Sequence, residues 1–174
     1  MKSTLKTGFI TGVIISSVFT LGFLVLTKCL SKPYWNMPAD TIRGIVGLLC
    51  IPIQFIGVYM ALQNVKTSTG SLTYVEALKT GIIFSITVAV VVSIFSFLYC
   101  TLNPHYAADM VQDAQKFMRA AHETERQIAS DSIKVAAEFT TGMQVTEAFI
   151  GQFFMGTVMS LILGLFLKGK RSKN

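Results

Sequence analysis

Four stretches of this sequence each run 20 residues or more without a charged side chain: 8–27, 44–65, 80–102 and 148–167. An α-helix rises 1.5 Å per residue, so about 20 residues cross the ~30 Å hydrocarbon core of a bilayer. A backbone amide left unpaired in lipid costs several kcal/mol, so a spanning segment must be a helix or part of a closed barrel. Runs this long, with no alternation of apolar and polar residues, exclude barrel strands. The chain is therefore expected to be all-α. It reads as a four-transmembrane-helix bundle in one integral membrane domain over residues 1–174, with an extramembrane helical segment, residues 104–140, between the third and fourth spans.

Charge agrees with that reading. Only 14% of residues are charged and the mean hydropathy is +0.57, against about 25% charged residues in soluble domains. The net charge of +6 sits at segment ends instead of forming a basic face. Most aromatic residues lie inside the uncharged runs, so no basic and aromatic surface for nucleic acid is expected. Lys2 and Lys6 before the first run mimic a signal peptide, but 20 residues exceed the usual ~7–15-residue apolar core, and a retained first span is expected. Lys28 before Cys29 breaks a lipoprotein cleavage box. Cys29, Cys50 and Cys100 show neither metal-ligand spacing nor a CxxC pair, and read as small lipid-phase residues.

The connections differ in kind. Residues 28–43 carry Pro33, Tyr34, Trp35 and Pro38, a short loop with interfacial aromatics. Residues 63–79 hold Thr67-Ser68-Thr69-Gly70-Ser71, a tight turn. Thr73 and Glu76, and likewise Thr146 and Glu147, are candidate caps at the starts of the third and fourth spans. Asn103-Pro104 ends the third span, and the segment after it is rich in Ala, Gln, Lys, Arg and Glu. There Ala114, Ala121, Ile128 and Val135 recur every seven residues, with Met110 and Phe117 beside them, which predicts a narrow apolar stripe. A single helix of that length would carry the chain ~50 Å away, so a break is required, at Ser130-Asp131-Ser132 or at Thr140-Thr141-Gly142. Two helices are expected, packed as a hairpin or lying on the bilayer surface. Arg119 with Glu123 and Lys134 with Glu138 are spaced as i,i+4 pairs. His122 with Glu125 makes too small a set for zinc.

Four spans put both termini on one side. The termini and second connection carry eight Lys or Arg against Glu76 alone, whereas the first and third connections carry seven against eight acids. The basic cluster after the last span predicts cytoplasmic termini, N-in and C-in.

Small residues recur at every fourth position in three runs: Gly8, Gly12 and Ser16; Gly81, Ser85 and Ala89; Gly156, Ser160 and Gly164. Such stripes let helix backbones approach in lipid, either within one chain, in an oligomer or along a substrate path. Pro52 interrupts the second run, and Gln54 and Gln152 are candidate polar linings or interhelical bonding groups. Phe117, Ala121, Ile128 and Val135 form a candidate partner surface. No uncharged run holds the buried ionisable group common in ion-coupled transporters, and no nucleophile–base, phosphate-loop or metal pattern appears. Catalytic, cofactor-binding and metal residues are accordingly expected to be none.

The stretch Gly70-Ser71-Leu72-Thr73-Tyr74-Val75-Glu76-Ala77-Leu78-Lys79-Thr80-Gly81, followed by a span and Asn103-Pro104-His105-Tyr106, resembles the bacterial membrane family of domain of unknown function 4199. The order of elements also fits over nearly the whole chain, although the polar segment is less acidic than is usual in that family. The resemblance implies a multi-pass membrane protein of the Bacteroidota type and carries no reaction. The expectation is a non-enzymatic envelope or interaction protein of the bacterial inner membrane, touching the bilayer and a protein partner through residues 104–140; the alternative is a small oligomeric transporter or channel.

Overall fold

The computed structural model describes residues 1–30 and 38–167. Six helices follow one another: α1 (Lys2–Leu30), α2 (Ala39–Thr69), α3 (Tyr74–Leu102), α4 (Tyr106–Ala120), α5 (Glu125–Glu138) and α6 (Thr141–Leu167), with no strand among the described residues. The chain is all-α, and α1, α2, α3 and α6 are long and apolar enough to cross a membrane. Each outruns the uncharged stretch that predicts it, since a helix must be free of charge only inside the hydrocarbon and can carry Lys, Arg and Glu beyond it. The aromatic loop at residues 31–37 and the basic tail at 168–174 lie outside the described residues.

Volume is distributed inside-out relative to a water-soluble bundle. Ser16, Ser85, Ser93, Ser160, Thr4, Thr11 and Thr80 are buried, while Leu48, Phe55, Ile56, Phe97, Phe154 and Phe166 are exposed on the spans. Lipid supplies no hydrophobic force between helices, so close backbone approach has to hold them together.

The small-residue stripes provide that approach. Antiparallel α3 and α6 meet so that Gly81 faces Ser160, Gly156 faces Ser85, and Gly164 faces Ala77. Each serine hydroxyl donates to the carbonyl four residues back on its own helix, Ser85 to Gly81 and Ser160 to Gly156, both at 2.7 Å. The hydroxyls are thereby satisfied in lipid, and the serine Cβ is left to fill the opposite glycine's notch. On parallel α1, Gly8 faces Thr87 and Gly12 faces Val91 of α3, while Ser16 bonds back to Gly12 at 2.8 Å. Ala89, four residues after Ser85 on α3, is buried as well. α1 packs on α2 and α3, and α6 packs on α3 and α2, so α1 and α6 stand at opposite corners around fully buried Phe84.

Local signals set the ends. Gly70 caps α2 with φ 74°, a left-handed conformation that glycine adopts without a Cβ penalty. At α3 the capping box is complete: the Thr73 hydroxyl accepts from the Glu76 amide at 3.2 Å, and the Glu76 carboxylate accepts from the Thr73 amide at 2.8 Å. α2 runs through Pro52 without interruption.

The polar segment differs from expectation in its first break. The chain turns at residues 121–124, where His122 takes φ 61° and Thr124 forms a capping box with Gln127. Ser130-Asp131-Ser132 instead lies inside α5, with Ser132 accepting a hydrogen bond from Gln115 of α4 at 2.9 Å. Thr124-x-x-Gln127 outcompetes the serines because its box satisfies two backbone donors at the start of α5, the amides of Thr124 and Gln127, whereas Ser132 finds a partner across the hairpin. The other candidate break, at residues 140–142, falls where one helix gives way to the next: α5 ends at Glu138 and α6 begins at Thr141. As a result Thr146 and Glu147 are interior to α6 and cap nothing; Thr146 bonds back to Gly142 at 2.8 Å. Lys134 pairs with Asp131 at 2.7 Å, not with Glu138. Arg119 and Glu123 share no helix, because Glu123 is in the turn.

The α4–α5 hairpin is seated on the bundle. Met110 of α4 and Phe139 join Phe23, Ile42 and Val46 in a second buried cluster, with Tyr106 and Val135 against it. The Asp113 carboxylate accepts from the Ala39 amide at 2.8 Å, placing a negative charge and an acceptor at the N-terminus of α2, where helix amides lack partners.

Candidate functional site

Helix α2 leaves Pro38 in an extended conformation and starts at Ala39, which puts Arg43 one turn inside it. Glu147 lies between one and two turns inside α6. These two helices enter the bundle from the same side, so the charges reach equal depth, and Arg43 donates to the Glu147 carboxylate at 3.2 Å. The guanidinium carbon also stands 5.4 Å from the centre of the Phe139 ring, a cation–π distance. The Tyr106 ring meets Phe23, Tyr99 and Phe139 edge-on, with centroids 6.4, 5.3 and 5.8 Å away. Burial pushes the Tyr106 hydroxyl up to about 12, against a smaller opposing pull from Arg43.

Behind these side chains is a cavity of about 390 Å³ inside the end of the bundle that carries the hairpin, within the range of small-molecule sites. Phe19 and Phe23 of α1, Phe95 and Tyr99 of α3, and Tyr106 of α4 give it aromatic walls; Asp40, Arg43 and Glu147 stand in its lining, together with Cys100, Gln152 and the hydroxyl-bearing Ser16, Thr20 and Ser96. Gly44 and Gly47 form part of the α2 wall, and a Cβ at either would meet nothing within 4 Å. The contrast with the other half is physical. Where Gly81, Ser85, Gly156 and Ser160 interdigitate the helices close, and where bulky rings face glycines across the bundle axis they leave space.

The sequence-marked residues fall as follows. Gly8, Gly12, Ser16, Gly81, Ser85, Ala89, Gly156, Ser160 and Gly164 are all buried between helices of this one chain. Gln54 is buried and donates to the Gln152 backbone carbonyl at 2.9 Å, tying α2 to α6; it is not in the cavity wall. Gln152 is in the wall, and its side-chain oxygen is buried without a hydrogen-bond partner. The apolar stripe is divided by the turn. Ile128 is buried within the hairpin, Val135 packs on the second cluster, Phe117 is half-buried and Ala121 is exposed. Among the described residues, no three His, Cys, Asp or Glu stand together in a way that could hold a metal ion.

The sequence gives Arg43 and Tyr106 no place in a site, marks Glu147 only as a candidate cap, and does not show the cavity. A signal was there: Arg43 immediately precedes the second uncharged run and Glu147 the fourth, and both runs begin on the same side. Opposite charges at equal depth are a pair in waiting. The roofing by Tyr106 has no such signature, since it depends on how the hairpin folds back.

A family model described as a protein of unknown function (DUF4199) matches residues 6–169. No curated protein and no solved structure matches the chain.

Proposed function

Because the chain belongs to the DUF4199 family of proteins of unknown function across nearly its whole length, membership brings no activity, and we propose from the fold that this is a non-enzymatic binding protein of the bacterial inner membrane. The observation that carries the reading is the aromatic cavity of about 390 Å³ beneath the docked hairpin. Two of its three charged side chains, Arg43 and Glu147, engage each other, a posture that suits holding a ligand better than turning one over. The distribution of positive charge supports cytoplasmic termini, which puts the cavity and hairpin on the opposite face. The hairpin, as the largest part outside the bilayer, is where a protein partner would learn that the cavity is filled.

The test is a thermal-shift panel of small amphiphiles on the purified protein, with Gly47→Leu as the filled control. A ligand at 100 times its dissociation constant stabilises the native state by about 2.7 kcal/mol. The reading expects at least one compound to stabilise the wild type and to lose that effect in Gly47→Leu. A panel without a hit, or hits that act equally on the filled variant, overturns it. A small oligomeric transporter is the second reading, favoured by Gln152 in the cavity wall; it expects solute flux in proteoliposomes that responds to Gln152 substitution.

A further inference from the structure

We propose that the cavity houses the aliphatic chain of a single-chain lipid, admitted sideways from the bilayer leaflet on the hairpin side; the proposal rests on the binding reading above and names its ligand class. The lining changes character with depth. Its charged members sit near the outer ends of their helices: Asp40 and Arg43 are the second and fifth residues of α2, and Glu147 is the seventh of α6. Along α1 the lining runs inward from Phe23 to Ile15, and along α3 from Cys100 to Val92, about 12 Å of helix on each. That inner part holds no charged side chain, and its Ser16 hydroxyl already donates to the Gly12 carbonyl at 2.8 Å. Thr20 and Ser96 bring hydroxyls of a kind that a helix satisfies from its own carbonyls. An apolar space does not retain water, and a lining with nothing against it forfeits dispersion contacts. An aliphatic chain restores them. A methylene takes up about as much room as a water molecule in the liquid, ~30 Å³, so a cavity of about 390 Å³ holds one chain of roughly a dozen carbons.

The mouth lies between α2 and α6. Four lining residues are also exposed, and three of them, Asp40, Gly44 and Glu147, belong to these two helices; Phe95 of α3 is the fourth. Among the described residues two side-chain bonds tie α2 to α6: the Arg43–Glu147 ion pair at 3.2 Å and, deeper, the Gln54 amide on the Gln152 backbone carbonyl at 2.9 Å. Gly44 and Gly47 fall between these ties on α2, and a Cβ at either would meet nothing within 4 Å. The gap between the ties is therefore left unfilled by α2. Gly44 also opens the uncharged run 44–65, which sets the gap at hydrocarbon depth, where the molecules on hand are lipids. A chain that slides in there breaks neither tie. Its polar head stays at the level of Arg43 and Glu147, where hydrocarbon gives way to the interface.

The probe is dodecanoyl lysophosphocholine whose chain ends in a photoreactive diazirine, added to proteoliposomes of the full chain and irradiated, with adducts mapped by peptide mass spectrometry. Phe97 and Phe154, exposed on the spans and outside the lining, report ordinary lipid contact. Phe19 and Val92, half-buried in the lining, report entry. Adducts are expected at Phe19 and Val92; Gly44→Leu and Gly47→Leu should each cut them about tenfold and leave those at Phe97 and Phe154 unchanged. Val90→Phe, which adds similar bulk at an exposed position outside the lining, should alter neither set. Unchanged surface adducts and a melting temperature near that of the wild type show that the Leu variants are folded. Adducts confined to Phe97 and Phe154, or adducts at Phe19 and Val92 that persist in the Leu variants, overturn the proposal. If the thermal-shift panel still gives hits that Gly47→Leu loses, a ligand cavity then stands without its lipid; if the panel is blank as well, the binding reading falls with it.

Discussion

Replacing Gly81 with alanine places one methyl group where the antiparallel α3 and α6 backbones meet. An ideal Cβ at Gly81 overlaps the Cβ and hydroxyl of Ser160, while the next nearest atom, Ser160 Cα, is 3.6 Å away. Neither overlapped atom is the far end of a flexible chain, so the helices must separate. Overpacking of this kind costs about 1–3 kcal/mol. Ser160→Gly alone removes the serine's packing and its bond to the Gly156 carbonyl, an effect of about 1 kcal/mol. In the double variant the alanine meets only an ordinary van der Waals contact, so the two penalties should not add, and the coupling should be about 1–2 kcal/mol. Steric trapping or denaturant unfolding in detergent gives the free energies; for a chain of this size each kcal/mol corresponds to about 2–4 °C in melting temperature. Gly151→Ala is the control, because its Cβ meets nothing within 4 Å. Penalties that simply add in the double variant, or equal damage from Gly151→Ala, would refute the account of how the stripes work.

Three further outcomes follow from the same geometry. Asp113→Ala removes the carboxylate that receives the Ala39 amide and should loosen the hairpin by about 1 kcal/mol, seen as faster amide exchange in α4 and α5 with little change in α3. Thr73→Ala breaks the capping box at the start of α3 and should lower stability by about 1 kcal/mol; Thr73→Ser should restore most of it. Tyr106 holds its proton more tightly folded than unfolded, with its pKa raised from 10.0 to about 12, so stability is full below about pH 10 and falls as the pH rises through about 12. Tyr106→Phe should flatten that alkaline decline in a melting-temperature profile.

The spans were legible because lipid leaves a chain few choices: an apolar run of 20 residues has nowhere to satisfy its amides except within itself. The serine and glycine stripes were legible for a related reason, since close approach needs small residues at a four-residue spacing. Glu147 shows where that reasoning ends. From the uncharged run alone it sits at a helix start and looks like a capping acid, yet α6 begins at Thr141 and the carboxylate serves Arg43 instead. The hairpin break shows the same limit, because Ser130 to Ser132 and Thr124 to Gln127 are both plausible starts, and the choice rests on Ser132 meeting Gln115 across the hairpin. A cavity has no sequence period at all. It is what remains when rings on α1 and α3 face glycines on α2, and only the assembled bundle reveals it.

The central claim is a cavity that small solutes enter from the face opposite the termini, and Cys100 in its wall reports on it directly. In intact cells carrying Cys29→Ser and Cys50→Ser, a membrane-impermeant cationic methanethiosulfonate should modify Cys100, and Gly47→Leu should slow that reaction about tenfold. Modification only after the membrane is opened, or an equal rate in the filled variant, would contradict the account.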